Sequence, residues 1–572
     1  MKAGPVYSEQ AQCQDCYKCV RACPVKAIRV SSAHAVVMPE RCVACGACVA
    51  ACPSGAKRVR DDVPRVAALL RSPRPVVVSL APSFRSEFEQ LEPGQLIAAL
   101  RALGFMGVSE TALGAQQVSA RLARDLDAAS GQIWISTACP VAVDFVRTYL
   151  PERIPNLTPL DSPLLAHARL LRQRLDGDPA VVFIGPCIAK KQEAEASPML
   201  EAALTFEDLR AWLDREHLDP AQLEPGPEDC FLLGPAAEGA LYPMEGGMAQ
   251  ATALSMTTGG TRFVTLSGLE AIRRGLGDLP EPGGPNLFLE LLACEGGCVS
   301  GPKATHRSAV KGRMRILDAA MPAAGAYPRE PEIGMIRRFS DRIPQEALIP
   351  QARLTAVLHG LGKRGPEDEL NCGACGYDTC RDLAAAILGD RAETRMCVSN
   401  LRNLAEKKAN ALLRTLPFGV VIVDEELRII ESSEAFVRLL GEEALLVHQS
   451  QPGLCGAHLD KFVAFGDRFR AVLAGGEEII RQNIAHGGRT LSTTIFTVEP
   501  GRVVGALLLD VTETENRQQE IIGKAEQVIQ NMLGNAQEIA FSLGRNAARS
   551  EGILNSIIAE FRGPDRSGNH GA

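Results

Sequence analysis

Residues 286–301 read NLFLELLACEGGCVSG. The opening run is apolar except for Asn286 and Glu290, and its length suits a buried strand that ends at Cys294, with Cys298 one short glycine turn further on. The pattern recurs upstream. PAVVFIGPC at 179–187 ends on Cys187 inside GPCIAKK (185–191), and QIWIST at 132–137 runs into Cys139 inside STACP (136–140). With PVVVSLAP at 75–82 and the helical patterns LIAALRALGF (96–105) and LTFEDLRAWLDREH (204–217), these strands predict an alternating α/β region over 73–360. A lone cysteine at a strand end is most often a small buried hydrophobe. Four of them with glycine and proline alongside, where the backbone can come close, point to a metal group instead.

The whole chain agrees with a metal-rich, modular protein. Its 572 residues amount to about four domains, and 46% apolar with 23% charged residues excludes a disordered or fibrous chain. The net charge of −7 argues against binding nucleic acid by broad phosphate neutralisation. MKAGPVYSEQAQC carries no apolar signal core and no run approaches a membrane span, so the expected location is the cytoplasm, with no membrane partner. In that compartment eighteen cysteines are metal ligands before they are disulfides.

Two further cysteine groups flank the α/β region. Cys13-x2-Cys16-x2-Cys19-x3-Cys23-Pro24 is repeated as Cys42-x2-Cys45-x2-Cys48-x3-Cys52-Pro53. CxxC pairs also bind zinc, but two full runs each closed by Cys-Pro resemble a two-cluster 4Fe-4S ferredoxin. That resemblance implies Cys13, Cys16, Cys19 and Cys52 on one cube, and Cys42, Cys45, Cys48 and Cys23 on the other. Downstream, Cys372-x2-Cys375-x4-Cys380-x16-Cys397, with a helix expected in DLAAAILGDRA, resembles the small single-cluster 4Fe-4S domain of electron-transfer and corrinoid iron-sulfur proteins. Zinc is the alternative there too. Cys230 and Cys455 match no motif, and the cluster of His448, Cys455 and His458 reads as solvated.

STACP, GPCIAKK and ELLACEGGCVSG, in that order, resemble the three signature segments of the iron-only (FeFe) hydrogenases, whose usual forms are TSCCP, MPCxxK and ExMACxxGCxxGG. The resemblance implies that Cys139, Cys187, Cys294 and Cys298 hold a 4Fe-4S cube. Cys298 would bridge to a di-iron subsite carrying CO, cyanide and azadithiolate, and Lys190 would donate to a cyanide. Ala138 occupies the position where the family carries a proton-relaying cysteine. Gly185 and Leu292 stand where methionines are usual, and AQQVSARL (115–122) lacks the glutamates expected for a proton path. The role of Glu290 is open at this level. Losing the nearest relay should slow turnover by ~10²–10⁴-fold.

From about 410 the pattern changes. NALLRTLPFGVVIVDEELRIIESSEAFVRLLG and GRVVGALLLDVTE resemble the opening and closing parts of a PAS domain. Ile521, Ala525, Val528, Met532, Ile539 and Leu543 then recur at helical spacing, predicting an amphipathic or coiled-coil segment that makes a homodimer. The expected class is multidomain α/β and α+β. A two-cluster ferredoxin domain (1–60) leads to an H-cluster domain (70–360), a single-cluster domain (361–402), a PAS domain (408–514) and a helical signalling segment (515–562). The expected function is a sensory hydrogenase. It would read dihydrogen or redox state, turn over slowly, and pass the state through the clusters to a signalling partner, exchanging electrons with a redox protein or ferredoxin. The alternatives are a working hydrogenase subunit and an iron-sulfur regulator without di-iron.

Overall fold

The computed structural model describes residues 4–512, apart from 282, 306–308, 321–330, 345–348 and 476–478, together with Ile529. The predicted C-terminal helix and its dimer contact therefore lie outside the described residues. Two compact units divide the chain, one from Met1 to Met396 and one from Cys397 to Ala572.

In the first unit β1 (Val6–Ser8) pairs with β4 (Lys57–Val59), and β2 (Ile28–Ser31) with β3 (His34–Val37), both antiparallel. Short helices Lys18–Ala22 and Ala47–Ala51 each carry the third cysteine of a run. Two parallel sheets follow. β5 (Val76–Leu80), β6 (Gly107–Glu110), β8 (Ala180–Gly185) and β9 (Ala202–Thr205) form one in the order β6-β5-β8-β9. β7 (Ile133–Ile135), β10 (Thr261–Ser267) and β11 (Asn286–Leu292) form the other in the order β10-β11-β7. β5, β6, β8 and β9 are buried along their whole length, as strands covered on both faces are, which explains the mainly apolar runs of β5, β8 and β9, while the buried Ser109 and Glu110 of β6 are held by hydrogen bonds. Helix Thr111–Ala128 leaves β6 directly and packs on helix Pro163–Arg174. A Cβ on Gly114 would come within 2.2 Å of the Pro163 carbonyl oxygen, so only glycine allows this approach.

The cysteine-rich regions at either end of this unit pack onto their neighbours. The loop at Gly46 (φ +78°) presses on Ile188 and Pro302, where an added Cβ would stand 2.6 and 2.7 Å from side-chain carbons. Gly376 lies against Val20 and Arg21, Arg21 joins the Cys16 and Ala374 carbonyls, and Lys26 faces Asp378. Buried Lys191 pairs with Asp62 and Asp208, fixing the connection into the α/β region.

In the second unit, helix Val398–Thr415 leads into an antiparallel sheet. Its strands are β12 (Gly419–Val423), β13 (Ile429–Ser432), β14 (Ile479–His486), β15 (Arg489–Glu499) and β16 (Val503–Asp510), in the order β13-β12-β16-β15-β14. Phe436, Phe469, Val421, Ile495 and Leu508 lie in its core. β14 was not expected from the sequence, since its residues 482–486 include Gln, Asn and His and are largely exposed, as an edge strand allows.

Candidate functional site

Cys139, Cys187, Cys294 and Cys298 come from three strand ends. Cys139 is the N-cap of helix Pro140–Tyr149 just after β7, Cys187 follows β8, and Cys294 and Cys298 follow β11. All three strands are parallel members of their sheets, so their carboxyl ends open onto the crevice where such sheets bind ligands. The crevice holds a cavity of about 110 Å³ lined by all four cysteines, with Ala138, Lys190 and Thr111 on its wall. The rest of the lining is mainly apolar, and Lys190 is the one charged side chain among the described lining residues.

Electrostatics match this surface. Burial pushes the Cys187 thiol up to about 11, with Cys139 adding repulsion. Cys294 and Cys298 are also raised by burial and by the neighbouring thiols. Thiols held neutral this firmly ionise only against a strong cationic centre, and a coordinated thiol is deprotonated outright. Among the described residues no three His, Cys, Asp or Glu side chains converge on a single-ion point. Four thiols lining one mainly apolar cavity are the kind of donor set that an iron-sulfur cluster takes. Lys190 Nζ donates to Glu193 Oε2 at 2.6 Å and to Ser162 Oγ at 3.4 Å, which fixes the ammonium at the cavity wall.

The departures noted in the sequence have physical counterparts. Ala138 lines the cavity and offers no donor there. A side chain at Gly185 would meet the Phe183 ring at 2.4 Å, and that ring itself lines the cavity. In the 115–122 stretch, Gln116 Oε1 accepts from the Ala237 amide, Gln117 Oε1 accepts from the Glu332 amide, and Ser119 Oγ lies 2.9 Å from the Tyr242 hydroxyl. These groups are neutral. Glu290 has its carboxylate held by the Met248 and Ala249 amides at the start of helix Gly247–Ala253, and burial pushes it up to about 7.

The ferredoxin-like cysteines separate into two interleaved groups. The Cys19 thiol, raised by burial, also feels Cys13, Cys16 and Cys52. Cys48, likewise raised by burial, feels Cys23, Cys45 and Cys42. Each run thus contributes its last cysteine to the neighbourhood of the other. In the third group, Cys380 opens helix Cys380–Leu388, whose N-cap Thr379 forms a capping box with Asp382. Cys372 is exposed, Cys375 and Cys380 are partly buried, and Cys397 belongs to the second unit. Cys230 and Cys455 are both exposed, and His448 accepts from the Gly453 amide.

Sequence reasoning passed over a buried polar group beside the cavity. His167 is fully buried, with Ser79 Oγ 2.8 Å from Nδ1 and Ser109 Oγ 3.0 Å from Nε2. Burial pulls its imidazole down to about 3, so it is neutral.

Comparison with known proteins identifies the region. Residues 74–302 match the family described as iron only hydrogenase large subunit, C-terminal domain, residues 5–53 match a 4Fe-4S dicluster domain, and residues 368–399 match an iron-sulfur cluster family. The periplasmic [Fe] hydrogenase large subunit of Nitratidesulfovibrio vulgaris is 28% identical over 361 residues, covering 52% of this chain and 85% of that protein. A variant of the [FeFe]-hydrogenase HydA1 from Chlamydomonas reinhardtii is 17% identical, with a TM-score of 0.37 over 50% of this chain and all of that one. HydA(deltaEFG), whose structure is described as revealing stepwise [FeFe]-hydrogenase H-cluster assembly, gives 16% identity and the same TM-score and coverage. Over residues 74–302 the chain thus resembles the C-terminal domain of an iron-only hydrogenase large subunit, with a stretch similar to a 4Fe-4S dicluster domain before it, which supports a hydrogenase-related redox function. Among the described residues no helix is long and apolar enough to cross a membrane.

Proposed function

We propose that this protein is a sensory hydrogenase. The observation that carries the proposal is the apolar cavity that gathers all four signature cysteines yet presents Ala138 where the family has a proton-relaying thiol. In this reading Cys139, Cys187, Cys294 and Cys298 hold a cube, Cys298 also bridges to a di-iron unit with CO, cyanide and azadithiolate, and Lys190 donates to a cyanide. When bound, that group supplies the reversible cleavage of dihydrogen into protons and electrons. The chain's own residues exclude water through the apolar wall, hold the Lys190 ammonium in place through Glu193 and Ser162, and withhold a proton acceptor at position 138.

The same reading assigns Cys13, Cys16, Cys19 and Cys52 to one ferredoxin-type cube, Cys42, Cys45, Cys48 and Cys23 to a second, and Cys372, Cys375, Cys380 and Cys397 to a third. The antiparallel order β13-β12-β16-β15-β14, with three α-helices among the described residues between β13 and β14, supports a PAS domain as the output module. A homodimer through 515–562 would then pass the state to a signalling partner, and a redox protein would exchange electrons. Deleting 516–572 is expected to yield a monomer, checked by light scattering. The cytoplasm is part of this reading, whereas the Nitratidesulfovibrio relative is by its name periplasmic. Cell fractionation decides between the two.

Infrared spectroscopy of the matured protein tests the core assignment, with iron-bound CO and cyanide bands expected and their absence favouring an iron-sulfur regulator without di-iron. In a methyl viologen assay turnover should be slow while the bands still respond to dihydrogen. Rates equal to those of ordinary hydrogenases would favour the catalytic alternative, a hydrogenase working with ferredoxin or a partner dehydrogenase.

A further inference from the structure

Lys57 opens β4 and is only 3% exposed. Its ammonium donates to two neutral groups, the Ser8 hydroxyl at 2.7 Å and the Ala35 carbonyl, and among the described residues no carboxylate pairs with it. Lys190 and Lys191, also buried, each face a carboxylate. A cation taken out of water is costly unless an anion offsets the loss, so Lys57 calls for a partner. The internal repeat shows that packing alone does not demand a lysine. Counted from the Cys-Pro that closes each run, Lys57 in CPSGAK corresponds to Ile28 in CPVKAI, and Ile28 opens β2 and is 1% exposed. The first half thus buries an aliphatic side chain where the second half buries a charge.

The cysteines surround that charge. Helices Lys18–Ala22 and Ala47–Ala51, which carry Cys19 and Cys48, pack on each other, and β4 packs on the second of them. Burial raises the Cys19 thiol and Lys57 opposes the rise; burial raises Cys48 too, and Lys57 acts against it there as well. Cys19 belongs with Cys13, Cys16 and Cys52, and Cys48 with Cys23, Cys42 and Cys45, so one ammonium faces both groups.

We propose that the Lys57 ammonium is the shared counter-ion of the two ferredoxin-type cubes and holds both at a higher reduction potential than an apolar residue would. The inference rests on the assignment of these eight cysteines to two cubes, and not on the di-iron reading. A cube with its four thiolates is an anion that gains one more negative charge on reduction, so a fixed cation in the same low-dielectric core favours the reduced state. Ser8 and Ala35 keep the ammonium in place. Electrons reaching the repeat are thereby held there more firmly.

The test is a redox titration of the full-length matured protein, followed by electron paramagnetic resonance, on wild type, Lys57→Met, Lys57→Ile and Lys57→Arg. Methionine keeps much of the stem, isoleucine copies the first half of the repeat, and arginine keeps the charge. In both neutral variants the reduced-to-oxidised ratio of each ferredoxin-type cube at a fixed ambient potential is expected to fall about tenfold, equivalent to 59 mV for one electron. The CO and cyanide bands should not change, and Lys57→Arg should stay near wild type. Unchanged potentials in a neutral variant that keeps its iron overturn the proposal and leave Lys57 a tie between strands. A shift confined to one cube overturns the sharing, and an arginine variant that falls with the neutral ones overturns the role of charge. Should both neutral variants lose iron, retention by Lys57→Arg supports the counter-ion, and loss from all three overturns it. Wild-type protein whose repeat gives no 4Fe-4S signal overturns the cube assignment itself.

Discussion

The ferredoxin-like repeat and the hydrogenase-like cavity each assemble cysteines, but by opposite means. In the repeat, a run such as Cys13 to Cys23 brings its first three thiols together through a short loop and a single turn of helix, so local spacing suffices for all but the last, which serves the neighbouring run. In the cavity, Cys139, Cys187 and Cys294 are far apart in sequence and meet only because parallel strands from two sheets end at one crevice. The first arrangement is a property of a segment, the second of a fold. One can be damaged locally, whereas the other depends on sheet packing, apolar lining and every buried hydrogen bond that holds the strand ends in place.

The sharpest break between the two is Cys298→Ala, which should abolish the CO and cyanide bands entirely while leaving the signals of the ferredoxin-type clusters, as read by infrared and electron paramagnetic resonance side by side. Interleaving within the repeat comes next. Cys52→Ala should cost ~4 irons, Cys13→Ala combined with Cys52→Ala no more than that, and Cys23→Ala combined with Cys52→Ala about twice as many, counted by metal analysis. A loss that follows the runs instead of crossing them would refute the interleaved scheme.

The dependence of the cavity on its surroundings can be read from acid stability. His167 falls from 6.5 in the unfolded chain to about 3 in the fold, so the unfolded state binds the extra proton and stability is lost as pH drops through that window. His167→Gln should flatten this part of the denaturation profile by on the order of 5 kcal/mol between its ends. An unchanged slope would mean the imidazole is not buried neutral. The smallest effect concerns Ala138. Ala138→Cys should raise turnover by up to ~tenfold, equivalent to 1.36 kcal/mol of barrier, while leaving the repeat's cluster signals alone.

Legibility in the sequence follows the same division. The cysteine runs, the strands at 75–82, 132–137, 179–187 and 286–294, and the helices at 96–105 and 204–217 could be read from spacing and periodicity, since each depends on neighbours in the chain. The packing of the ferredoxin-like region against the α/β region could not, because Gly46 against Ile188 and Pro302 leaves no periodic trace. Neither could the Thr111, Ser79, His167 and Ser109 series, whose members are ordinary residues until four elements bring them within hydrogen-bond reach. β14 escaped notice for a different reason, since an exposed edge strand has no need of apolar alternation. Glu193 as the partner of Lys190 lies three residues along the same helix, a spacing that could have revealed it.

Gly46 bears on how the molecule fails in air. The loop that carries it lies in the second cysteine run and rests on Ile188, next to Cys187, and on Pro302, just beyond Cys298. Cys16, in the first run, is exposed. In the interleaved scheme an oxidant that dismantles the cluster at Cys16 also releases Cys52, and so slackens the run whose Gly46 packs against Ile188 and the cavity-lining Pro302. Oxygen damage would then travel inward along the chain's own scaffold, and the buried site would be lost second, through its support, without the oxidant having to enter the cavity.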